Sequence, residues 1–358
     1  MRGGEQGKVG LRALVVFVGF AVSAVLISTV FFQWNLSGPG PLLRPRFSVL
    51  DLIRTIPQHL DWMVPFALLT ALMVPFRALQ WQRALQRRVP FRERYHLVAI
   101  GAFANNAIPG KLGDVIRSFL LSRSQNLPFV QSLGSVVVCK LLEFAALMLV
   151  VAASFLGPFG RTMGQFSGKL VPALVVCPAL VLVVVLLAHF SGSLARALER
   201  RKRMPKLQHA LVNIGEGLGT ARSFRGMVLA LLFSSGPVLA AALAYGIGLR
   251  GLGIPGGLFA GAVVLGAIAL GQSVPVGVGM YYAVTSWVAR ELGATEQQAA
   301  AYALLTHFCA VVAQLAVGAV SIRVRKIRWS ELKRRTSLAA EAVRHATEHH
   351  VGDKPVHA

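Results

Sequence analysis

Charged residues are scarce in this sequence, and negatively charged ones are the scarcest. Asp, Glu, Lys and Arg together make up only 14% of the 358 residues, whereas a soluble domain carries about 25%. The deficit excludes an ordinary water-soluble domain over most of the length, because much of the surface must face something other than water. The hydrophobic share of 55% agrees with this interpretation.

Cysteine is nearly absent as well. Cys139, Cys177 and Cys309 each lie inside an apolar block, and no CxxC pair occurs, so we expect buried apolar thiols rather than disulfides or a metal site. The sequence also lacks the GxSxG, HExxH and P-loop motifs of common hydrolases and nucleotide-binding enzymes. We therefore expect no enzyme activity, no bound metal and no cofactor.

Apolar residues are instead concentrated in blocks that are long enough to cross a bilayer, which takes about 20 helical residues. This pattern predicts an all-α polytopic membrane protein with about six transmembrane helices. The six blocks are residues 12–32, 59–82, 132–156, 170–190, 226–249 and 299–322.

Basic residues predict the orientation of these spans. Lys and Arg number 37 against 14 acids, a formal net charge of +23, and they cluster at 83–95, at 191–225 and after residue 323. The positive-inside rule places these segments in the cytoplasm. Both termini are then cytoplasmic, and the protein is expected in the cell (inner) membrane. Because the bases lie in short loops between apolar blocks, anionic lipids are favoured as partners over nucleic acid.

Two further apolar stretches, 96–121 and 256–290, do not fit as spans because Pro, Gly and Asn interrupt them. Each half is too short to cross about 30 Å of hydrocarbon, which is typical of a re-entrant helical hairpin. The first would enter from the cytoplasm and the second from outside. The predicted break residues are Asn106, Pro109, Gly113, Pro275, Gly277 and Gly279.

The two halves also repeat. Pro109-x-x-x-Gly113 and Pro275-x-x-x-Gly279 share one pattern, at an offset of 275 − 109 = 166 residues. Three spans in each half would give the halves opposite orientation, and inverted repeats with broken helices are typical of transporters. We expect a single transmembrane domain over 1–328, with half-repeats at 12–157 and 170–323. Residues 329–358 are predicted to form a polar cytoplasmic tail.

A few charged residues lie inside the apolar stretches, where charge is costly and is usually functional. One interpretation is structural: Asp114 with Arg117, and Lys140 with Glu143, are each three residues apart and can neutralise one another. The other is a pocket for an anionic head group, to which the N-terminus of the second hairpin helix would add partial positive charge. The candidate residues are Arg77, Lys111, Asp114, Arg117, Lys140 and Glu143.

The stretch from Asn106 to Arg117, NAIPGKLGDVIR, resembles the membrane region of lysylphosphatidylglycerol synthases, a family also called flippase-like. The family pattern is a Pro followed by Gly-Glu/Asp-x-x-Arg, which Pro109, Gly113, Asp114 and Arg117 match. The resemblance covers roughly 12–328. It implies lipid translocation, by analogy with the flippase half of the fused synthases.

Other parts of the family pattern are altered in this sequence. The family element Glu-Arg-x-x-Asp reads Cys-Lys-Leu-Leu-Glu at 139–143, so the base and the acid persist in type. Tyr282 stands three residues after Gly279, where the family has Glu, and His307 stands where the last span often has Arg. Tyr282 and His307 are therefore candidates for a second-half site. Synthase activity is not expected, because the sequence continues for only about 30 residues after the last span.

Together these observations predict a protein that binds an anionic or aminoacylated lipid and translocates it across the membrane. One alternative is a secondary transporter of a small solute or ion on the same inverted repeat. Another is a scaffold for cell-envelope enzymes that transports nothing, for which the intramembrane charges would be dispensable. A homo-oligomer is compatible with each of the three.

Overall fold

The computed structural model describes residues 18–35, 43–45, 56–85, 87–108, 112–156, 224–272 and 278–327. Apart from one pair of three-residue strands, these residues are helical. The strands β1 (Phe32–Trp34) and β2 (Leu43–Pro45) are antiparallel, with Phe32 opposite Pro45. The predicted all-α class is therefore confirmed.

Nine α-helices are present in the described part of the chain, and a 3₁₀ turn at Ile56–His59 leads into the second. The helices are α1 Val18–Phe31, α2 Leu60–Ala84, α3 Phe91–Ala107, α4 Gly113–Gln125, α5 Phe129–Leu156, α6 Phe224–Gly251, α7 Leu258–Gln272, α8 Val278–Glu291 and α9 Glu296–Val324.

Four of these helices are long and apolar enough to cross a membrane: α2, α5, α6 and α9. They coincide with the predicted blocks at 59–82, 132–156, 226–249 and 299–322. The block at 12–32 is described only from residue 18, as the shorter apolar helix α1. The block at 170–190 lies outside the described residues, as do the loop at 191–223 and the tail after 327.

Each of the two broken stretches forms two helices that pack against each other, α3 with α4 and α7 with α8. Ile108 ends the first helix in an extended conformation, with φ −120° and ψ 128°, as expected for a residue that precedes proline. Pro109, Lys111, Pro275 and Gly277 lie outside the described residues.

Three of the predicted break residues lie within helices rather than between them. Asn106 is in the last turn of α3, where its Nδ2 donates to the carbonyl oxygen of Ala102 at 2.9 Å and so leaves the helix intact. Gly279 is the second residue of α8, and Gly113 is the first residue of α4.

The helix bounds repeat at the offset found in the sequence. Adding 166 to the bounds of α2 gives 226–250, and α6 is Phe224–Gly251. The same shift carries α3 onto α7, α4 onto α8 and α5 onto α9, with every bound agreeing to within two residues. The repeat is thus a property of the fold as well as of a motif.

The chain divides into two compact units, each with one helix pair and its own core. The α3–α4 unit comprises the described residues within 70–149, 224–240 and 311–327, and the α7–α8 unit comprises those within 18–69, 150–156 and 241–310. Trp81, Leu97 and Ile116 are central to the first core. Trp62 and Tyr302 are central to the second.

Close backbone contact sets the geometry of the α3–α4 pair. A Cβ atom placed on Gly113 would lie 1.9 Å from the carbonyl oxygen of Gly101 and 2.7 Å from the side chain of Asn105. Only a residue without a side chain fits there, so the two helices are in contact through their backbones. This contact fixes where the charged residues of α4 point.

Candidate functional site

Five of the six charged residues singled out in the sequence come together in the α3–α4 unit. Arg77 lies on α2, Asp114 and Arg117 on α4, and Lys140 and Glu143 on α5. We call these five residues the charged cluster. The sixth, Lys111, lies outside the described residues.

Arg77 and Glu143 form a two-point ion pair between α2 and α5. The Arg77 Nε donates to Glu143 Oε1 and its Nη2 to Oε2, each at 3.2 Å. This fork-to-carboxylate geometry is the stronger and more directional form of a charge-assisted hydrogen bond. The pair therefore holds the two spans together and leaves the Glu143 carboxylate engaged on both oxygens.

Asp114 bridges the other two bases. Its Oδ1 accepts from Arg117 Nη2 at 2.9 Å along α4, and its Oδ2 lies 3.7 Å from Lys140 Nζ on α5. Lys140 and Glu143 thus each have an ion-pair partner on another helix, in addition to lying three residues apart on α5.

Arg117 is almost enclosed by protein. Its side chain is only 6% exposed, and its guanidinium carbon lies 5.1 Å from the centre of the Trp81 ring. Trp81 is in turn held by its Nε1, which donates to Ser135 Oγ at 2.9 Å. The Arg117 Nε has no hydrogen-bond partner within the described residues.

Lys140 is the accessible member of the cluster. Its side chain is 46% exposed, and that of Asp114 is 35% exposed. Lys140 lies 140 − 129 = 11 residues after the start of α5, which is about 16 Å along the helix. A span of ordinary length covers about 30 Å of hydrocarbon, so Lys140 lies near the middle of the candidate span α5.

The cluster carries an excess of positive charge. It holds three cations (Arg77, Arg117 and Lys140) and two carboxylates, so its formal charge is 3 − 2 = +1. An unbalanced, partly exposed charge at this depth is costly and is relieved by an anion. The arrangement can therefore hold a phosphate or carboxylate beside Lys140.

One of the N–H groups at the N-terminus of α4 is already engaged. The N–H of Gly113 already donates to Asn105 Oδ1 at 2.8 Å, and no side chain caps the helix at Leu112. The contact of Asn105, the neighbour of the candidate Asn106, with the Gly113 N–H was not predicted. Trp81 was also missed, and its position four residues after Arg77 on one helix face is a signal that was available.

Tyr282 and His307, the second-half candidates, are in contact in the α7–α8 unit. The Tyr282 hydroxyl and His307 Nδ1 are 2.7 Å apart, and the His307 ring lies 4.9 Å from that of Tyr281. Tyr281 also contacts Thr306 Oγ1 at 3.0 Å through its hydroxyl. This network is polar but formally uncharged, unlike the charged cluster. These contacts alone do not show that Tyr282 or His307 binds a head group.

The described residues contain no group of three or more His, Cys, Asp or Glu side chains that is placed to hold a metal ion. Cys139 and Cys309 are buried free thiols, as the sequence predicted, and Cys177 lies outside the described residues.

Comparison with known families gives one match. The model of the family described as the lysylphosphatidylglycerol synthase TM region matches residues 16–318. Comparisons with curated proteins and with solved structures find no match.

Proposed function

Because the chain belongs to the lysylphosphatidylglycerol synthase TM region family, a family of membrane proteins, we propose that it binds the head group of an anionic or aminoacylated phospholipid at the charged cluster and moves that lipid across the membrane. On this proposal the protein carries out transport and no synthesis.

The observation that carries the proposal is the uncompensated charge at Lys140. Its side chain is 46% exposed, and its ammonium group shares a single carboxylate with Arg117. A lipid phosphate beside Lys140 would neutralise the excess charge and would replace water as its partner. Asp114 would hold both bases in place, and its exposed side would receive the amine of an aminoacylated head group.

The roles of the two bases differ on this proposal. Lys140 meets the phosphate directly, because it is accessible. Arg117 is enclosed between Asp114 and Trp81, so it supports the site electrostatically unless α4 moves. The free Nε of Arg117 would gain a partner in such a movement.

Two finer features of the architecture are part of the same proposal. The pairs α3–α4 and α7–α8 are re-entrant hairpins that enter the membrane from opposite sides, and the repeat of helix bounds is an inverted one. Segments 83–95, 191–225 and the tail after 323 are cytoplasmic, because they carry the dense Arg and Lys content that stays inside. The protein resides in the cell membrane.

This topology predicts a labelling pattern. In a background without cysteine, single cysteines at residue 88, in 191–225 and after 323 are expected to resist a membrane-impermeant maleimide in whole cells and to react after lysis. A cysteine at Pro255, between α6 and α7, is the matched control and is expected to react in whole cells. Reaction of the 191–225 cysteine in intact cells would overturn the assignment.

The lipid itself is tested by its retention on purified protein. Lys140→Met is expected to reduce co-purified phosphatidylglycerol by about tenfold, since a charge-assisted contact contributes roughly 1.5–3 kcal/mol. Arg117→Gln is expected to reduce it less. Phospholipid is quantified by mass spectrometry after gentle detergent extraction.

Arg123→Gln is the matched control, because Arg123 lies on the same helix as Arg117, is exposed and contacts Phe119. It is expected to leave lipid content unchanged. If Lys140→Met keeps its lipid while losing thermal stability, the cluster is structural, and a scaffold role replaces lipid binding. If lipid retention is unchanged but an ion or solute protects Lys140 from acylation, the protein is a transporter of that solute instead.

A further inference from the structure

A second basic site lies where the N-terminus of α3 meets the C-terminus of α9. A cavity of about 460 Å³ opens there, and six of the residues that line it are Pro90, Arg92, Glu93, His96, Arg325 and Lys326. Its volume falls within the range of about 300–1,000 Å³ for small-molecule sites. It shares no residue with the charged cluster.

The acid in this cavity is already engaged. Glu93 Oε2 accepts from Gln125 Nε2 at 2.7 Å, and its Oε1 lies 3.6 Å from Arg325 Nη2. Arg92, Arg325 and Lys326 against Glu93 leave a formal charge of 3 − 1 = +2, with His96 neutral. The cations therefore converge on a space whose one carboxylate has no free oxygen.

His96 makes one wall of the cavity rigid. Its side chain is buried, and Nδ1 lies 3.1 Å from Ser321 Oγ on α9. Together with the Glu93–Arg325 pair, this contact ties α3 to the C-terminal end of α9. The basic groups are thus held on a fixed frame rather than scattered along loops.

Lys326 is held at the cavity by an uncommon backbone conformation. Its φ is +52°, and the chain closes α9 with hydrogen bonds from Lys326 N to Arg323 O at 3.1 Å and from Ile327 N to Ile322 O at 3.1 Å. This is a Schellman ending, in which glycine is the usual residue at the left-handed position. A lysine there is strained, and strain of this kind is commonly kept for function.

We propose that this cavity is a binding site for a phosphate group, separate from the charged cluster. Two or three cations around a cavity of this size suit a doubly or singly charged phosphate, with the guanidinium groups of Arg92 and Arg325 supplying paired donors. The N–H groups at the start of α3 add partial positive charge on the same side. The phosphate comes either from a soluble anion or from the head group of an anionic lipid.

Lys326→Gly separates a loss of charge from a loss of folding stability. It removes one cation from the cavity, and glycine suits the φ of +52° at that position, so the helix end is expected to be at least as stable as before. Arg92→Gln removes a second, exposed cation. A loss of anion binding in both variants is therefore attributable to charge rather than to folding.

In the first arm, the full-length protein is placed in phosphatidylcholine nanodiscs and titrated with inorganic phosphate against sodium chloride of equal ionic strength, with thermal stability as the readout. Phosphate is expected to raise the melting temperature of the wild type and of Lys140→Met alike. The apparent dissociation constant is expected to be weaker by about tenfold in Lys326→Gly and in Arg92→Gln.

In the second arm, the nanodiscs contain phosphatidylglycerol and no phosphate is added, and bound lipid is counted by native mass spectrometry. If the phosphate comes from a soluble anion, the two variants differ from the wild type only in the first arm, by their weaker phosphate binding. If it comes from a lipid head group, Lys326→Gly and Arg92→Gln each retain one fewer phosphatidylglycerol than the wild type. Either result supports the site. If both variants match the wild type in both arms, or if the wild type responds in neither, the proposal is overturned.

Discussion

Replacement of Asp114 by Asn is expected to lower the free energy of unfolding by about 3 kcal/mol, because it removes the carboxylate that both Arg117 and Lys140 share. Stripping one partner from a buried charge typically costs about 3–5 kcal/mol. We expect the lower end of that range, since the Asp114 side chain is 35% exposed and water can screen part of the stranded charge. Arg117, at 6% exposure, has no such screening.

Chemical denaturation in detergent micelles measures this effect, and Asp61→Asn is the matched control. Asp61 is an exposed acid in the first turn of α2, so the same substitution there is expected to change stability by no more than about 0.5 kcal/mol. An Asp114→Asn protein as stable as the wild type would show that Arg117 and Lys140 do not depend on this carboxylate. In that case the bridging arrangement of the cluster would be wrong.

The second large effect is expected at Gly113. Gly113→Ala would place a methyl group 1.9 Å from the Gly101 carbonyl oxygen, so α3 and α4 must separate or shift. Overpacking costs about 1–3 kcal/mol when side chains can yield. Here the obstacle is backbone, and we expect a loss at or above the upper end of that range, together with reduced yield of folded protein.

Gly266→Ala is the control for the glycine substitution. Gly266 lies in α7, and among the described residues a Cβ there would meet only Val151 Cγ2, at 3.0 Å, which a small side-chain movement relieves. Size-exclusion profiles and melting temperatures of the two variants separate the cases. Equal behaviour of Gly113→Ala and Gly266→Ala would contradict the close backbone contact between α3 and α4.

Much of the fold was predictable because membrane helices are encoded by length and composition. Four predicted spans match observed helices closely, since the block of apolar residues must be as long as the bilayer is thick. The breaks after Ala107 and Gln272 were also predictable, because Pro and Gly interrupt the helical hydrogen-bond ladder. The 166-residue offset between two Pro–Gly motifs was enough to predict the repeat of helix bounds.

Partners within the charged cluster were less predictable. The short connection between α4 and α5 is consistent with the 3.7 Å contact between Asp114 and Lys140. The pairing of Glu143 with Arg77 was not predicted, because it depends on how α2 is rotated against α5. Both spans carry apolar residues on every face, so the sequence does not determine this rotation. The contact of Trp81 with Arg117 depends on the same rotation.

Other missed features depend on backbone detail. Asn105 accepts from the Gly113 N–H only because the turn between α3 and α4 brings residues eight apart together. The Tyr281–Thr306 contact joins α8 and α9, and neither residue carries a charge that would single it out in an apolar sequence. Local patterns do not contain this information.

A transport assay tests whether the charged cluster moves an anionic lipid. The protein is reconstituted in liposomes that contain phosphatidylglycerol with a fluorophore on its acyl chain, and dithionite quenching reports the lipid that reaches the outer leaflet. The wild type and Arg123→Gln are expected to expose inner-leaflet phosphatidylglycerol at the same rate. Both are expected to expose labelled phosphatidylcholine more slowly than phosphatidylglycerol. Lys140→Met is expected to slow exposure of phosphatidylglycerol by about tenfold, the loss of one charge-assisted contact. Two results would show that the charged cluster does not move this lipid. In the first, phosphatidylglycerol is quenched no faster with the wild-type protein than in protein-free liposomes. In the second, Lys140→Met exposes phosphatidylglycerol as fast as the wild type.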